Sequence, residues 1–280
     1  MKLPNIVVRI LAGAVFVGLL LGGILINEYT FLIVFSLITV LSLYEFYGLI
    51  EKDAKVPVIR PWNILGGFFL FIGSFYFCAY SASVIAFVPY IIYLLFLFVS
   101  ELYMKRDNPI QSLTYSILGQ IYIAAPFALI NYLVFAYEPG RYSHVYILAL
   151  LVFIWVNDSF AYLIGMAFGK HRLFERISPK KSWEGFFGGA AVSIASSLIF
   201  AHFYPNLSIV AWLGFAAVTV ISGTFGDLFE SLVKRTLGVK DSGNMIPGHG
   251  GILDRFDSTI LAIPAVFVYL ILVNSLIISV

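Results

Sequence analysis

The sequence predicts an all-α, polytopic integral membrane protein of about nine transmembrane helices. Three observations carry this. Of its 280 residues 61% are hydrophobic and only 11% are charged, whereas soluble domains are nearer half apolar and a quarter charged. The apolar residues fall into runs of bilayer-spanning length, about 20 residues each. The basic residues are distributed unevenly between the loops that join those runs.

The runs cover roughly 8–26, 30–50, 62–80, 83–100, 115–136, 143–168, 186–204, 208–226 and 258–279. Continuous apolar runs of this length describe helices, because the strands of a membrane barrel read as short alternating segments. The first run follows Lys2 and Arg9, as a signal peptide would. It is longer than a usual signal core and no small-residue cleavage pattern follows it, so it reads as a retained helix. With the N-terminus and the loops after even-numbered spans on one side, that side holds every Lys and Arg except Arg141. Basic residues stay cytoplasmic, so the N-terminus is expected inside and the C-terminus outside.

The inward loops after spans six and eight, 169–185 and 227–257, are the long ones, and long loops carry function. The chain therefore divides into N-terminal spans (1–140) and a catalytic C-terminal half (141–280) whose chemistry faces the cytoplasm. Net charge is +2, too small for a nucleic-acid partner. The single cysteine, Cys78, excludes an internal disulfide and makes a thiol-ligated metal site a poor reading.

Polar residues concentrate in Ser231–Asp257 and its flanks. Continued as a helix, span eight places Asp227, Glu230, Ser231 and Lys234 in one sector, opposite Leu228, Phe229, Leu232 and Val233. Glu230 and Lys234 then form an ordinary i,i+4 ion pair. Asp254, Asp257 and Ser258 share a face if a helix begins near Ile252. Asp227, Asp254 and Asp257 could then converge at the membrane boundary. Carboxylates without Cys or several His favour a hard cation such as Mg²⁺, the usual partner of phosphoryl-transfer chemistry.

Between these acids lie Gly248, His249, Gly250 and Gly251, where glycines allow backbone N–H groups to approach an anion. Lys234, Arg235, Lys240 and Arg255 are suited to phosphates. Span six carries Asn157 and Asp158, and an acid at that depth is a functional candidate. In the preceding inward loop Ser178 is expected to cap a helix opened by Pro179, with Lys180 and Lys181 in its first turn. Cations there oppose the helix dipole and invite an anion. Glycine pairs at 18/22, 165/169 and 185/189 allow close helix packing.

The stretch Ser231–Asp257 is similar throughout to the signature of the phosphatidate cytidylyltransferase, or CDP-diacylglycerol synthase, family. Ser231, Lys234, Arg235, Lys240, Asp241, Gly243, Ile246, His249, Gly250, Gly251, Ile252, Asp254, Arg255, Phe256 and Asp257 all fit it. The run Ser178-Pro-Lys-Lys-Ser-Trp-Glu-Gly185 and the pair Asn157-Asp158 resemble further segments of that family. The first 140 residues resemble it only in hydropathy.

The resemblance implies transfer of the cytidylyl group of CTP to phosphatidate, with Mg²⁺ and room for a second cation. It implies a homodimer in the inner membrane. Asp227 and Asp254, then Asp257 and Asp158, are its expected metal ligands. Lys180, Lys181, Lys234, Arg235, Lys240 and Arg255 would hold phosphates and His249 would orient one. Ser178, Asp241, Gly250 and Gly251 complete the expected binding set. The nearest alternative is a CTP-dependent lipid or polyprenol kinase. The motif of a CDP-alcohol phosphotransferase is missing, and a transporter would place its charge near mid-span.

Overall fold

The computed structural model describes residues 5–138 and 140–278, with side chains from 9 to 275 apart from 139. Each expected span falls on a helix. Among the described residues eight helices are long and apolar enough to cross a membrane. The first span lies on α1 (Asn5–Leu25), whose stretch with described side chains, Arg9–Leu25, is shorter than the others.

The chain divides into two compact units, Met1–His144 with Thr236–Phe256, and Val145–Arg235 with Asp257–Val280. The segment 236–256, expected with the C-terminal half, belongs instead to the N-terminal unit.

In the first unit α2 (Glu28–Lys52) starts at Asn27, whose side chain accepts the amides of Tyr29 and Thr30 in a capping box. Then come α3 (Arg60–Tyr80), α4 (Val88–Tyr103) behind a short 3₁₀ turn, and the crossing built from α5 (Pro109–Gly119) and α6 (Ala125–Ala136). A π-helical turn, Gln120–Ala124, joins α5 to α6, whose second residue is Pro126; a proline cannot donate to the helical ladder and favours such an irregularity. A buried polar network ties these helices together. Asn63 donates to Ser116 Oγ at 2.8 Å, Tyr93 donates to Asn63 at 3.1 Å, and Gln120 donates to the Asn63 carbonyl at 2.7 Å. Inside a bilayer such bonds join apolar helices that have no hydrophobic drive to associate.

The second unit holds α7 (Val145–Phe168), α8 (Trp183–Phe203), α9 (Ile209–Thr236, through Arg235) and α10 (Asp257–Ile278). Helices α7 and α8 approach closely through glycine. A Cβ at Gly189 would lie 2.6 Å from the Asn157 carbonyl oxygen, and one at Gly185 would lie 2.6 Å from that of Ala161. The pairs 165/169 and 185/189 therefore serve packing within the chain.

The link between α7 and α8 corrects one expectation. Ser178–Ser182 is not the start of a helix; it is strand β2, paired antiparallel with β1 (Arg172–Phe174). The helix starts at Trp183 because Ser182, in extended conformation, caps it by accepting the Gly185 amide at 3.1 Å. Lys180 and Lys181 thus project from a strand.

Candidate active site

The second unit contains a cavity of about 550 Å³. Four elements line it: α7 with Asn157, Asp158 and Tyr162; the hairpin with Arg172, Lys180 and Lys181; α8 with Gly185 and Phe186; and α9 with Thr224 and Asp227. The Lys181 ammonium is ion-paired with the Asp227 carboxylate, and Ser231 Oγ lies 3.4 Å from the other Asp227 oxygen. Asn157 Nδ2 reaches Asp158 Oδ1 at 3.4 Å. The hairpin is fastened at its base, where His171 Nδ1 and Glu184 Oε1 are 2.6 Å apart and the Trp183 amide donates to the His171 carbonyl.

Asp257, at the start of α10, has Asp227 and Asp158 as its acidic electrostatic neighbours, with Lys234 as a basic one. Three of the four expected metal ligands therefore gather in one unit. Among the described residues no three acids or histidines stand close enough to form a ready-made cage. The polar sector expected on α9 is present. Lys234 Nζ lies 3.3 Å from Glu230 Oε2, and Glu230 is buried.

Asp254 is placed differently. No helix runs from Ile252 through Ser258. A 3₁₀ turn, Leu253–Arg255, is interrupted at Phe256 before α10 opens at Asp257, so Asp254 and Asp257 do not share a helical face. Asp254 lies in the first unit and is buried. Its two oxygens accept the Ser242 amide at 3.1 and 2.9 Å, and one also accepts the Gly251 amide at 2.8 Å. The anion that the glycine loop approaches is thus one of the protein's own carboxylates. Gly250, with φ of +86°, makes the turn that brings Gly251 there.

The remaining motif residues occupy the same loop. His249 packs its ring on Gly13 of α1, 3.3 Å from the position of an added Cβ, and its buried Nδ1 has no hydrogen-bond partner. Arg9 lies over Gly248. Lys240, Asp241 and Arg255 are exposed, and Arg235 is exposed at the end of α9. Asp241 lines a second cavity, of about 720 Å³, with Glu45, Lys52, Asp53, Arg60 and Asn244.

Sequence reasoning missed Arg172 and Tyr162, which carry no signal outside the folded hairpin and helix. It also gave no role to Glu45, an acid within the second span. An acid at that depth was the available signal, but nothing in the sequence links it to residues some 200 positions away.

Helical spans around a cavity lined by lysines, an arginine and carboxylates define a polytopic membrane protein with a charged cavity. A model described as the cytidylyltransferase family matches residues 7–273, and the chain belongs to that family. Among curated relatives, phosphatidate cytidylyltransferase of Staphylococcus aureus is 44% identical over 138 residues, 49% of this chain and 53% of that protein. The Staphylococcus epidermidis protein of the same name is 45% identical over 137 residues, covering 48% and 52%. That of Haemophilus influenzae is 44% identical over 123 residues, covering 42% and 43%. The chain spans about half the length of the curated relatives it matches.

Proposed function

We propose that this protein transfers the cytidylyl group of CTP to phosphatidate, releasing CDP-diacylglycerol and pyrophosphate. The observation that carries the reading is the α7–α9 cavity, where Arg172, Lys180 and Lys181 face Asp158 and Asp227. A phosphate oxygen of phosphatidate attacks the α-phosphorus of CTP. The bond from that phosphorus to the oxygen bridging the α- and β-phosphates breaks, and pyrophosphate leaves with the electron pair on that oxygen. Phosphatidate is largely ionised at neutral pH, so no protein nucleophile is required. The protein's work is to hold two polyanions together and to neutralise the charge that develops. Lys180, Lys181 and Arg172 supply cationic donors. The Lys181–Asp227 pair keeps that lysine in place until substrate phosphate competes for it.

Asp227, Asp257 and Asp158 would hold Mg²⁺, which supplies electrostatic stabilisation at phosphate oxygens when bound. Asp254 is less suited to coordination, since both its oxygens are engaged by backbone amides. The parts of Lys240, Asp241, His249 and Arg255 in binding rest on the likeness of their motif. The distribution of Lys and Arg supports an inner-membrane location with the site on the cytoplasmic side. The homodimer rests on resemblance alone.

The test is incubation of the purified protein with phosphatidate, Mg²⁺ and CTP labelled in the cytidine ring or the γ-phosphate. Cytidine label is expected in the lipid phase, and EDTA is expected to abolish it. γ-Phosphate label in the lipid would instead identify a CTP-dependent lipid kinase.

A further inference from the structure

Glu45 projects from α2 in the first unit and is 5% exposed. Its Oε1 accepts the Ile252 amide at 3.0 Å, and its Oε2 accepts the Leu253 amide at 2.9 Å and the Ser242 hydroxyl at 3.0 Å. A buried carboxylate is tolerated when such donors satisfy it. The donors come from both ends of the glycine-rich loop. Ile252 and Leu253 open the 3₁₀ turn that carries Asp254, so Glu45 satisfies amides at a helix start that no residue of the turn itself can reach. Asp254 then returns to the Ser242 and Gly251 amides. Two carboxylates thus clasp one loop, the outer one supplied by a transmembrane helix.

The motif's glycines fit the same device. A Cβ at Gly243 would stand 2.5 Å from Glu45 Oε1, and one at Gly251 would collide with the Glu45 carboxylate and the Ser242 hydroxyl. These two glycines form the slot into which Glu45 inserts. A loop without regular structure from Gly238 to Ile252 loses much conformational entropy when fixed, and an external anchor offsets that loss.

We infer that Glu45 is a positioning residue, holding the Ser242–Leu253 loop in the one shape that supports cytidylyl transfer. The inference rests on the proposed function for its catalytic consequence and on geometry alone for the shape of the loop.

The test uses full-length protein in membranes, with Asn244→Cys as a reporter in a Cys78→Ser background. Glu45→Ala is expected to speed maleimide labelling at position 244 and to lower kcat about 10- to 100-fold, the scale of losing charge-assisted hydrogen bonds. Glu45→Gln, which keeps one acceptor oxygen, is expected to recover part of both. Gly251→Ala, with Glu45 intact, is expected to reproduce the Glu45→Ala pattern. Unchanged labelling in Glu45→Ala would overturn the inference, as would faster labelling with full activity. Should Glu45→Ala fail to accumulate, Ser242→Ala removes only the hydroxyl donor and is expected to show the same two changes on a smaller scale; no change in either would again overturn it. If the parent protein makes no cytidine-labelled lipid, the proposed function fails while the labelling series still judges the hold of Glu45 on the loop.

Discussion

At the scale of residues, four acids that look alike in the sequence occupy different environments. Asp227 and Asp158 line a cavity opposite lysines, while Asp254 is enclosed by amides. Their substitutions should therefore separate. Asp227→Asn and Lys181→Ala are each expected to reduce kcat/KM by about 10²–10³-fold, the range for removing one group that stabilises transition-state charge. Asp257→Asn is expected to raise the Mg²⁺ concentration needed for half-maximal activity. Asp254→Asn should leave that concentration nearly unchanged and lower stability by roughly 1–3 kcal/mol, because buried amides lose a charged acceptor. A Mg²⁺ titration beside a thermal melt distinguishes the two. A large shift in Mg²⁺ dependence for Asp254→Asn would return that residue to the metal site.

At the scale of elements, the cavity depends on how closely α7 and α8 approach. The carbonyl oxygens of Asn157 and Ala161 stand where side chains at 189 and 185 would grow. Asp158 and the hairpin residues Lys180 and Lys181 flank this contact along the chain. Gly189→Ala is expected to cost roughly 1–3 kcal/mol through overpacking, read as a fall in Tm, and to reduce activity by shifting Asp158. Gly18→Ala is the control: nothing lies within 4 Å of its added Cβ, and both readings should stay at the parent values. The hairpin shows why an element can be misread. Ser178-Pro179 has the composition of a helix start, but Ser182 is the serine that caps, and pairing with β1 takes the intervening residues. Propensity is local, and a partner strand overrides it.

At the scale of the whole molecule, the loop charges make a prediction about sidedness. In sealed right-side-out vesicles of the Cys78→Ser protein, Arg141→Cys is expected to react with an impermeant maleimide and Lys105→Cys, at an exposed position, only after permeabilisation. The reverse pattern would invert the orientation and move the proposed site away from the cytoplasm. The division into units also had no precedent in the linear order: residues 236–256 return to the N-terminal unit although helices of the second unit flank them in sequence. The first 140 residues therefore contribute more than a membrane anchor, since α2 supplies the carboxylate that shapes the loop.

The sequence by itself determined the helical membrane class, the helix on which each apolar run falls, and the polar segments that carry the candidate site residues. Hydropathy sets the first two, because backbone polar groups in lipid must be satisfied within the segment, and a motif is legible wherever its residues are contiguous. The ion pair on α9 was legible for the same reason, since i,i+4 spacing is a local geometry. Only the tertiary structure decided what surrounds each acid. It joined Asp158, Lys181 and Asp227 from three separate elements, set Asp254 among amides, and brought Glu45 to the loop from a helix near the other end of the chain. Such contacts arise from packing between distant segments, and no local pattern of residues encodes them.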